Sequence, residues 1–202
     1  YWYVENKEPI KGEGVIRSYG IRCYTSSDLF NWEDKGLIIP HDLDDENSPL
    51  NPLSVMERPH IIKNRKSNKY VCWFKTKIGS ELSYTVMTSN SILGPYTIAN
   101  KNIKPLDMTG GDFDLAVADD GKAYLYFSRV WGEIICADLN SDYTDVNGYY
   151  STHFPEPPPP FSREAPAHFI RNYKHYIITS GTTGYFPNPS IISVGKTWHG
   201  PY

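Results

Sequence analysis

The sequence lacks the features that mark several large classes of protein. No apolar run reaches the length of about eighteen residues that a membrane-spanning helix needs, so we expect no membrane partner. A net charge of −3 offers no basic surface for nucleic acid. The three cysteines, Cys23, Cys72 and Cys136, form no C-x-x-C pair, which argues against a metal or redox motif. We therefore predict buried thiols, with a single disulfide as the alternative.

Helical patterning is equally scarce. No long segment repeats apolar residues at positions i, i+3, i+4 and i+7, the spacing of an amphipathic helix. The chain instead contains short runs rich in Val, Ile, Tyr, Phe and Trp, such as KYVCWFKT, KAYLYFS and HYIITSG, which Gly, Asn, Asp and Pro interrupt. This pattern predicts an all-β domain of many short strands.

One pattern recurs three times along the chain, beginning at Glu57, Asp112 and Glu164. Each copy has a carboxylate, an apolar run, a polar turn, a tyrosine and a second apolar run. The copies begin 55 and 52 residues apart. A repeating β unit of about this length is typical of propeller blades, each built of four antiparallel strands. We predict three blades and part of a fourth in residues 1–202, a single propeller domain that is incomplete at both ends.

The repeated carboxylates are expected to meet. In a propeller the innermost strand of each blade runs along the central channel, so residues at the start of that strand converge at one mouth. Glu57, Asp112 and Glu164 would then face one another. Folding alone does not explain such a cluster, because like charges at close range destabilise one another. Paired carboxylates are the machinery of glycoside hydrolysis, in which one protonates the leaving oxygen and the other activates water or attacks the sugar.

Two further features bear on this hypothesis. Aromatic rings can stack on sugar faces, and the candidates are Trp73, Phe127, Trp131, Tyr185 and Phe186. Clustered acids could instead bind calcium, which prefers carboxylate oxygens. The sequence holds no EF-hand loop, and we interpret the acidic segment HDLDDENS at 41–48 as a solvated loop.

The ordered motifs ERPHIIKN, DFDLAVADDGKAYLYFS, REAPAHF and SGTTGYFPN resemble those of glycoside hydrolase family 43, and within it the branch that contains exo-β-1,3-galactanases. The resemblance covers nearly all 202 residues. It implies an all-β, five-bladed β-propeller, of which the chain holds about three and a half blades. It also implies an inverting glycosidase without a cofactor, with room for a structural calcium ion in the missing part of the ring.

The resemblance implies a role for each of the three acids. Glu164 of REAP matches the general acid of the family, and Asp112 matches the aspartate that tunes the pKa of that acid and orients it. Glu57 of ERP matches a substrate-contacting acid of the galactanase-like branch and is a candidate for positioning water. Asp114 matches a family position that is not acidic. The position of the usual general base falls outside this chain, so the base is unassigned.

Each acid also has a structural interpretation. Glu164 could form a surface ion pair with Arg163. Asp112 could cap the turn that follows TGG. Glu57 could be a buried partner of Arg58.

A second group of residues is predicted to bind the sugar, with core or loop packing as the alternative for Tyr84, Thr183 and Tyr185. Its members are Arg163, Tyr84, Trp131, Thr183 and Tyr185. Arg163 could orient a neighbouring carboxylate or cap a strand. His168, which alternates within a strand, is interpreted as a packing or surface residue.

The sequence therefore predicts an inverting glycoside hydrolase that acts on a plant-type polysaccharide. β-1,3-Galactan is the first predicted substrate, and arabinan and xylan come next. The alternative is a carbohydrate-binding propeller without catalysis. A protein-interaction platform would give no reason for three acids at equivalent positions. Because an enzyme that acts on a polymer is usually exported, we expect an extracellular or periplasmic location.

Overall fold

The computed structural model describes residues 1–9, 16–130, 132–155, 159–184 and 186–202. These residues form fourteen strands in four antiparallel sheets, and their one helical segment is the 3-10 turn Pro105–Asp107. The predicted all-β class is confirmed. Among the described residues, no helix has the length and hydropathy of a membrane-spanning segment.

Residues 1–103 form one compact unit with two sheets. The first sheet has the order β1-β2-β3 and the second the order β4-β5-β6-β7, so each strand pairs with its neighbour in sequence. The strands are β1 (Trp2–Pro9), β2 (Ile16–Thr25), β3 (Glu33–Pro40), β4 (Val55–Asn64), β5 (Lys69–Ile78), β6 (Glu81–Ser89) and β7 (Thr97–Ile103).

Residues 104–202 form the second compact unit, again with two sheets. Their orders are β8-β9-β10-β11 and β12-β13-β14. The strands are β8 (Gly110–Val117), β9 (Ala123–Arg129), β10 (Ile134–Leu139), β11 (Val146–His153), β12 (Arg163–Arg171), β13 (Lys174–Gly181) and β14 (Ile191–Gly195). The third repeat was predicted to be a full blade, but its described residues supply three strands.

The core of the first unit explains the run KYVCWF. Four consecutive residues of β5, from Val71 to Phe74, are buried, because a central strand of a blade is covered on both faces. Cys72 and Phe74 pack with Ile21, Cys23 and Met87. Burying an aliphatic or aromatic side chain of this size contributes about 2 kcal/mol. All three cysteines of the chain are free and buried, as predicted.

Aromatic and histidine rings fill the core of the second unit. Tyr124 stacks on Trp198 with ring centroids 4.5 Å apart. The ring of His168 stacks on Tyr126 at 4.8 Å, and its Nε2 lies 3.0 Å from Nδ1 of His175. His168 is therefore a packing residue between two sheets of this unit, in agreement with one of its two predicted interpretations.

Acid should destabilise this core. Burial, and then the neighbouring His175, lower the pKa of His168 to about 4, and burial with His199 does the same for His153. The pKa of histidine in an unfolded chain is about 6.5. Between about pH 6.5 and pH 4 the unfolded state therefore binds more protons than the folded state. The stability contributed by the neutral rings is therefore complete above about pH 6.5 and is lost as the pH falls towards about 4.

The expected loss is about 2 kcal/mol for each histidine, less than the full pKa difference implies because both rings retain some solvent contact. Thermal unfolding followed at several pH values between about 7.5 and 4 measures it. The variant His168→Phe removes one titrating ring and should show a shallower fall. A midpoint that stays constant down to about pH 5 would contradict the assignment.

Candidate active site

Strand β4 has a β-bulge near its start, immediately after Glu57. Glu57 lies opposite Lys75 and His60 opposite Trp73, so β4 has one more residue than β5 between these two pairs. Inside the bulge Arg58 has a left-handed backbone, with φ of 58°. The residue after it is proline, which cannot donate a ladder hydrogen bond and is tolerated in strands at bulges. The motif Glu-X-Pro is thus the local sequence of a bulge that carries a carboxylate.

Strand β12 begins in the same way at Glu164. Glu164 lies opposite Ser180 and Ala167 opposite Ile178, again with one extra residue on the inner strand. Ala165, inside the bulge, has φ of 50° and is followed by proline. Glu164, the second residue of β12, is therefore paired before the bulge, and the extra residue shifts its alternation of faces relative to the later ladder.

Strand β8 has a third bulge, but its acid stands at a different position. Gly110 lies opposite Arg129 and Phe113 opposite Phe127. By register, Gly110 takes the place of Glu57 and Glu164, and Asp112 lies two residues further along, inside the bulge. The predicted equivalence of the three acids is therefore wrong, although Asp112 does lie at the start of an inner strand.

The bulge of β12 can be tested with two alanines on the same strand. Valine disfavours a left-handed backbone, so Ala165→Val should lower the free energy of unfolding by about 1–3 kcal/mol. Ala167 is exposed and lies in the regular ladder, where valine is well accommodated, so Ala167→Val should change stability by less than about 0.5 kcal/mol. Urea unfolding of the two variants makes the comparison. Equal changes in the free energy of unfolding of the two variants would contradict the left-handed backbone at Ala165.

Glu57 lies among cations in the first unit. Its Oε2 is 2.8 Å from Nζ of Lys75, and its Oε1 is 4.0 Å from Nζ of Lys7. Partial burial acts to raise the pKa of Glu57, but Lys75, Lys7 and Arg58 outweigh burial and lower it. Glu57 is therefore an ionised carboxylate. It suits the acceptance of a hydrogen bond from a sugar hydroxyl or water better than the donation of a proton.

Arg163, next to Glu164, is buried and holds the neighbouring strand. Its Nε donates to Oγ1 of Thr179 at 3.0 Å. Its second guanidinium nitrogen donates to the carbonyl oxygens of Thr179, at 2.6 Å, and Pro189, at 3.4 Å. These contacts fix β12 against β13 and the loop that follows β13. Direct contact between Arg163 and a sugar stays a prediction.

The loop after β13 leaves the sheet beside the Glu164 bulge. Asn188 accepts from the amide of Gly181 at 2.6 Å and donates to the hydroxyl of Thr183 at 2.7 Å. The hydroxyl of Thr183 donates to the carbonyl of Phe186 at 2.6 Å, and the ring of Phe186 is 80% exposed. The loop therefore presents an aromatic ring to solvent. Asn188 is not among the residues predicted from the sequence. Its position between two prolines is nevertheless a local signal for a residue that anchors a loop.

Three aromatic residues predicted to contact sugar are core residues instead. Trp73, Tyr84 and Phe127 have no exposed surface, and the rings of Trp73 and Tyr84 pack with centroids 6.0 Å apart. The predicted role of Tyr84 in substrate binding is corrected, because a ring enclosed by protein cannot stack on a ligand. Trp131 and Tyr185 lie outside the described residues.

The strands that carry Asp112 and Glu164 meet within the second unit. The Oδ2 atom of Asp114, on β8, accepts a hydrogen bond from the amide of His168, on β12, at 2.7 Å. The two acids thus stand at the starts of neighbouring inner strands. The convergence of Glu57 with them stays a prediction. Within the described ranges, no group of three or more His, Cys, Asp and Glu side chains could hold a metal ion.

Comparison with known proteins adds a family and several solved structures. The family described as glycosyl hydrolases family 43 matches residues 2–202. The GH43 β-1,3-galactosidase BT0265 is 29% identical, with a TM-score of 0.80 over 91% of this chain and 39% of its own. The GH43 β-1,3-galactosidase BT3683, solved with galactodeoxynojirimycin, is 26% identical, with a TM-score of 0.84 over 98% of this chain and 70% of its own.

A fungal structure is similar to the same degree. The exo-β-1,3-galactanase from Phanerochaete chrysosporium, solved with β-1,3-galactotriose, is 27% identical, with a TM-score of 0.79 over 92% of this chain and 42% of its own. No curated protein sequence matches the chain. The chain spans less than half the length of two of these three proteins. The likeness confirms the predicted fold class, an all-β chain of the family 43 propeller type.

Proposed function

Because the chain belongs to glycosyl hydrolase family 43, we propose that the complete protein is a glycosidase with β-1,3-galactan as its first substrate. Arabinan and xylan are the next candidates. Residues 1–202 would form part of one catalytic propeller domain. The reaction needs no cofactor and inverts the anomeric carbon. We further propose that the protein acts in an extracellular or periplasmic location.

The observation that carries the proposal is the pair of acids at the starts of neighbouring strands. Glu164 lies immediately before the bulge of β12, and Asp112 lies in the bulge of β8, to which β12 is linked by the hydrogen bond from His168 to Asp114. In the proposed reaction Glu164 donates a proton to the leaving oxygen. In this proposal the charge of Asp112 favours the protonated form of Glu164, because two like charges at close range are unfavourable.

Two further groups are proposed to contact the substrate. Glu57, ionised beside Lys75, accepts a hydrogen bond from a sugar hydroxyl or from the attacking water. The exposed ring of Phe186, on the loop next to the Glu164 bulge, offers an apolar surface to the face of a sugar. The residue that activates the water is left unassigned.

The choice of β-1,3-galactan rests on the similar structures. Two of them are β-1,3-galactosidases, and the fungal enzyme is an exo-β-1,3-galactanase solved with β-1,3-galactotriose. These three proteins are 26–29% identical to the chain. Arabinan and xylan are therefore included in the test.

The test is the release of sugar from β-1,3-galactan, arabinan and xylan by the complete protein. We expect galactose from galactan, released first as the α anomer, which proton NMR at early times detects. Early release of the β anomer would contradict inversion. Binding of galactan without release of any sugar would favour the second candidate, a non-catalytic carbohydrate-binding propeller, which the unassigned base makes the main alternative.

A further inference from the structure

We propose that Asp114 is a positioning residue, which sets how β12 lies along β8 and thereby where the carboxyl of Glu164 stands relative to Asp112. The inference rests on the proposed function, because it concerns the geometry of that pair of acids. Asp114 itself needs no contact with the sugar.

The two oxygens of the Asp114 carboxylate bind the main chains of two different sheets. Oδ1 accepts from the amide of Leu115 on its own strand at 2.9 Å, and Oδ2 accepts from the amide of His168 on β12 at 2.7 Å. β8 and β12 belong to separate sheets, so no backbone ladder sets their relative position. Side chains must do so, and hydrogen bonds to an ionised acceptor are among the strongest available.

His168 is held at its ring as well as at its amide. The ring stacks on Tyr126 with an interplanar angle of 8°, and the centroid of the Trp198 ring lies 5.0 Å from that of His168. Tyr126 is the register partner of Asp114 on the adjacent strand β9. Asp114 and Tyr126 therefore stand side by side on one sheet and contact the amide and the ring of the same residue on the other sheet.

This anchor is close to both acids along the chain. Asp112 precedes Asp114 by two residues on β8, and Glu164 precedes His168 by four residues on β12. A slip of one residue between the strands would displace Glu164 by about 3.3 Å. Misplacement of a catalytic group by even about 1 Å can lower a rate about a hundredfold. The hydrogen bond from His168 to Asp114 therefore protects the separation on which the proposed proton donation depends.

The inference makes a prediction about rate and pH dependence in the complete protein. Asp114→Ala should lower kcat on β-1,3-galactan about 10–100-fold and leave KM within about twofold. It should also shift the alkaline limb of the rate profile to lower pH, because Glu164 loses part of the repulsion from Asp112. Asp114→Asn retains one acceptor oxygen and should recover part of both effects. Asp142→Ala, at an exposed position of the same unit, is the matched control.

Hydrogen exchange in the segment 164–171 gives a readout that does not depend on activity. Exchange in this segment should be faster in Asp114→Ala than in the wild type and intermediate in Asp114→Asn. Unchanged kcat and pH profile in Asp114→Ala would overturn the inference. So would equal losses in the Ala and Asn variants without any shift of the alkaline limb, which indicate a general structural defect.

Failure of the proposed function has a different signature. In that case the wild type releases no sugar, and the predicted effects of Asp114→Ala on kcat and on the pH profile no longer apply. The exchange experiment still decides whether Asp114 joins the two strands. If Asp114→Ala fails to fold, the pH profile and exchange of Asp114→Asn carry the test, and wild-type values for that variant would overturn the inference.

Discussion

Glu164→Gln is expected to reduce the release of galactose from β-1,3-galactan by about a thousandfold in the complete protein. Glutamine has nearly the same shape as glutamate, but it cannot give a proton to the leaving oxygen. The bulge that positions residue 164 depends on the backbone of Ala165 and the following proline, so the substitution leaves the strand intact. Binding of galactan should therefore persist. Reducing-sugar release and isothermal titration calorimetry measure the two effects separately.

The leaving group provides a sharper test of the same residue. An aryl galactoside whose phenolate departs without protonation needs no general acid, so Glu164→Gln should slow its hydrolysis far less than that of galactan. Glu133→Gln is a matched control, since Glu133 lies in the same unit and pairs with Arg129 at 3.3 Å. Normal turnover of galactan by Glu164→Gln would remove Glu164 from the proposed mechanism. If Glu164→Gln hydrolysed both substrates more slowly by the same factor, Glu164 would have a role other than proton donation.

The second large effect is expected from Trp73→Ala, which should lower the free energy of unfolding by about 3–5 kcal/mol. The ring of Trp73 is fully enclosed and packs against Tyr84, so its removal leaves a cavity that the surrounding strands cannot fill. A sugar-stacking residue would behave differently, because its loss weakens binding and leaves stability almost unchanged. Urea unfolding of the variant separates these outcomes.

Phe30→Ala is the control for Trp73→Ala. Phe30 lies in the same unit and is 87% exposed, so its truncation should change stability by less than about 0.5 kcal/mol. If Trp73→Ala were as stable as this control, the assignment of Trp73 to the core would be wrong. The same experiment on Tyr84→Ala would extend the test to the residue whose predicted role the structure corrects.

The strands could be predicted from the sequence because each one has its own local signal. Apolar and aromatic runs bounded by Gly, Asn, Asp and Pro mark them, and their recurrence indicates blades. The exact correspondence between blades could not be predicted. The spacing from acid to tyrosine is 13, 12 and 12 residues, which makes Asp112 look equivalent to the two glutamates. The pairing shows Gly110 at that position, because turn length and bulge position differ between hairpins.

The candidate site was predictable only in part. Glu164 and Asp112 could be selected because both stand at the starts of inner strands and match family motifs. Tyr84 could not be separated from a sugar-binding tyrosine by residue type, since a core and a sugar platform both favour aromatic rings. The sequence does not predict a role for Asp114, because this residue matches a family position that is not acidic. Its partner, the amide of His168, lies 54 residues away and no pattern in the sequence indicates it.

A bulge near the start of the inner strand separates the residue that can carry chemistry from the pairing that forms the sheet. The extra residue is confined to the first few positions of β4, β8 and β12, and regular pairing resumes after it in all three strands. The identity of the residue just before the bulge therefore does not change the strand pairing that follows it. β8 illustrates such an exchange, with Gly110 where the other two blades have glutamate. A duplicated blade can thus gain or lose a carboxylate near the start of its inner strand through one substitution, without rebuilding its sheet.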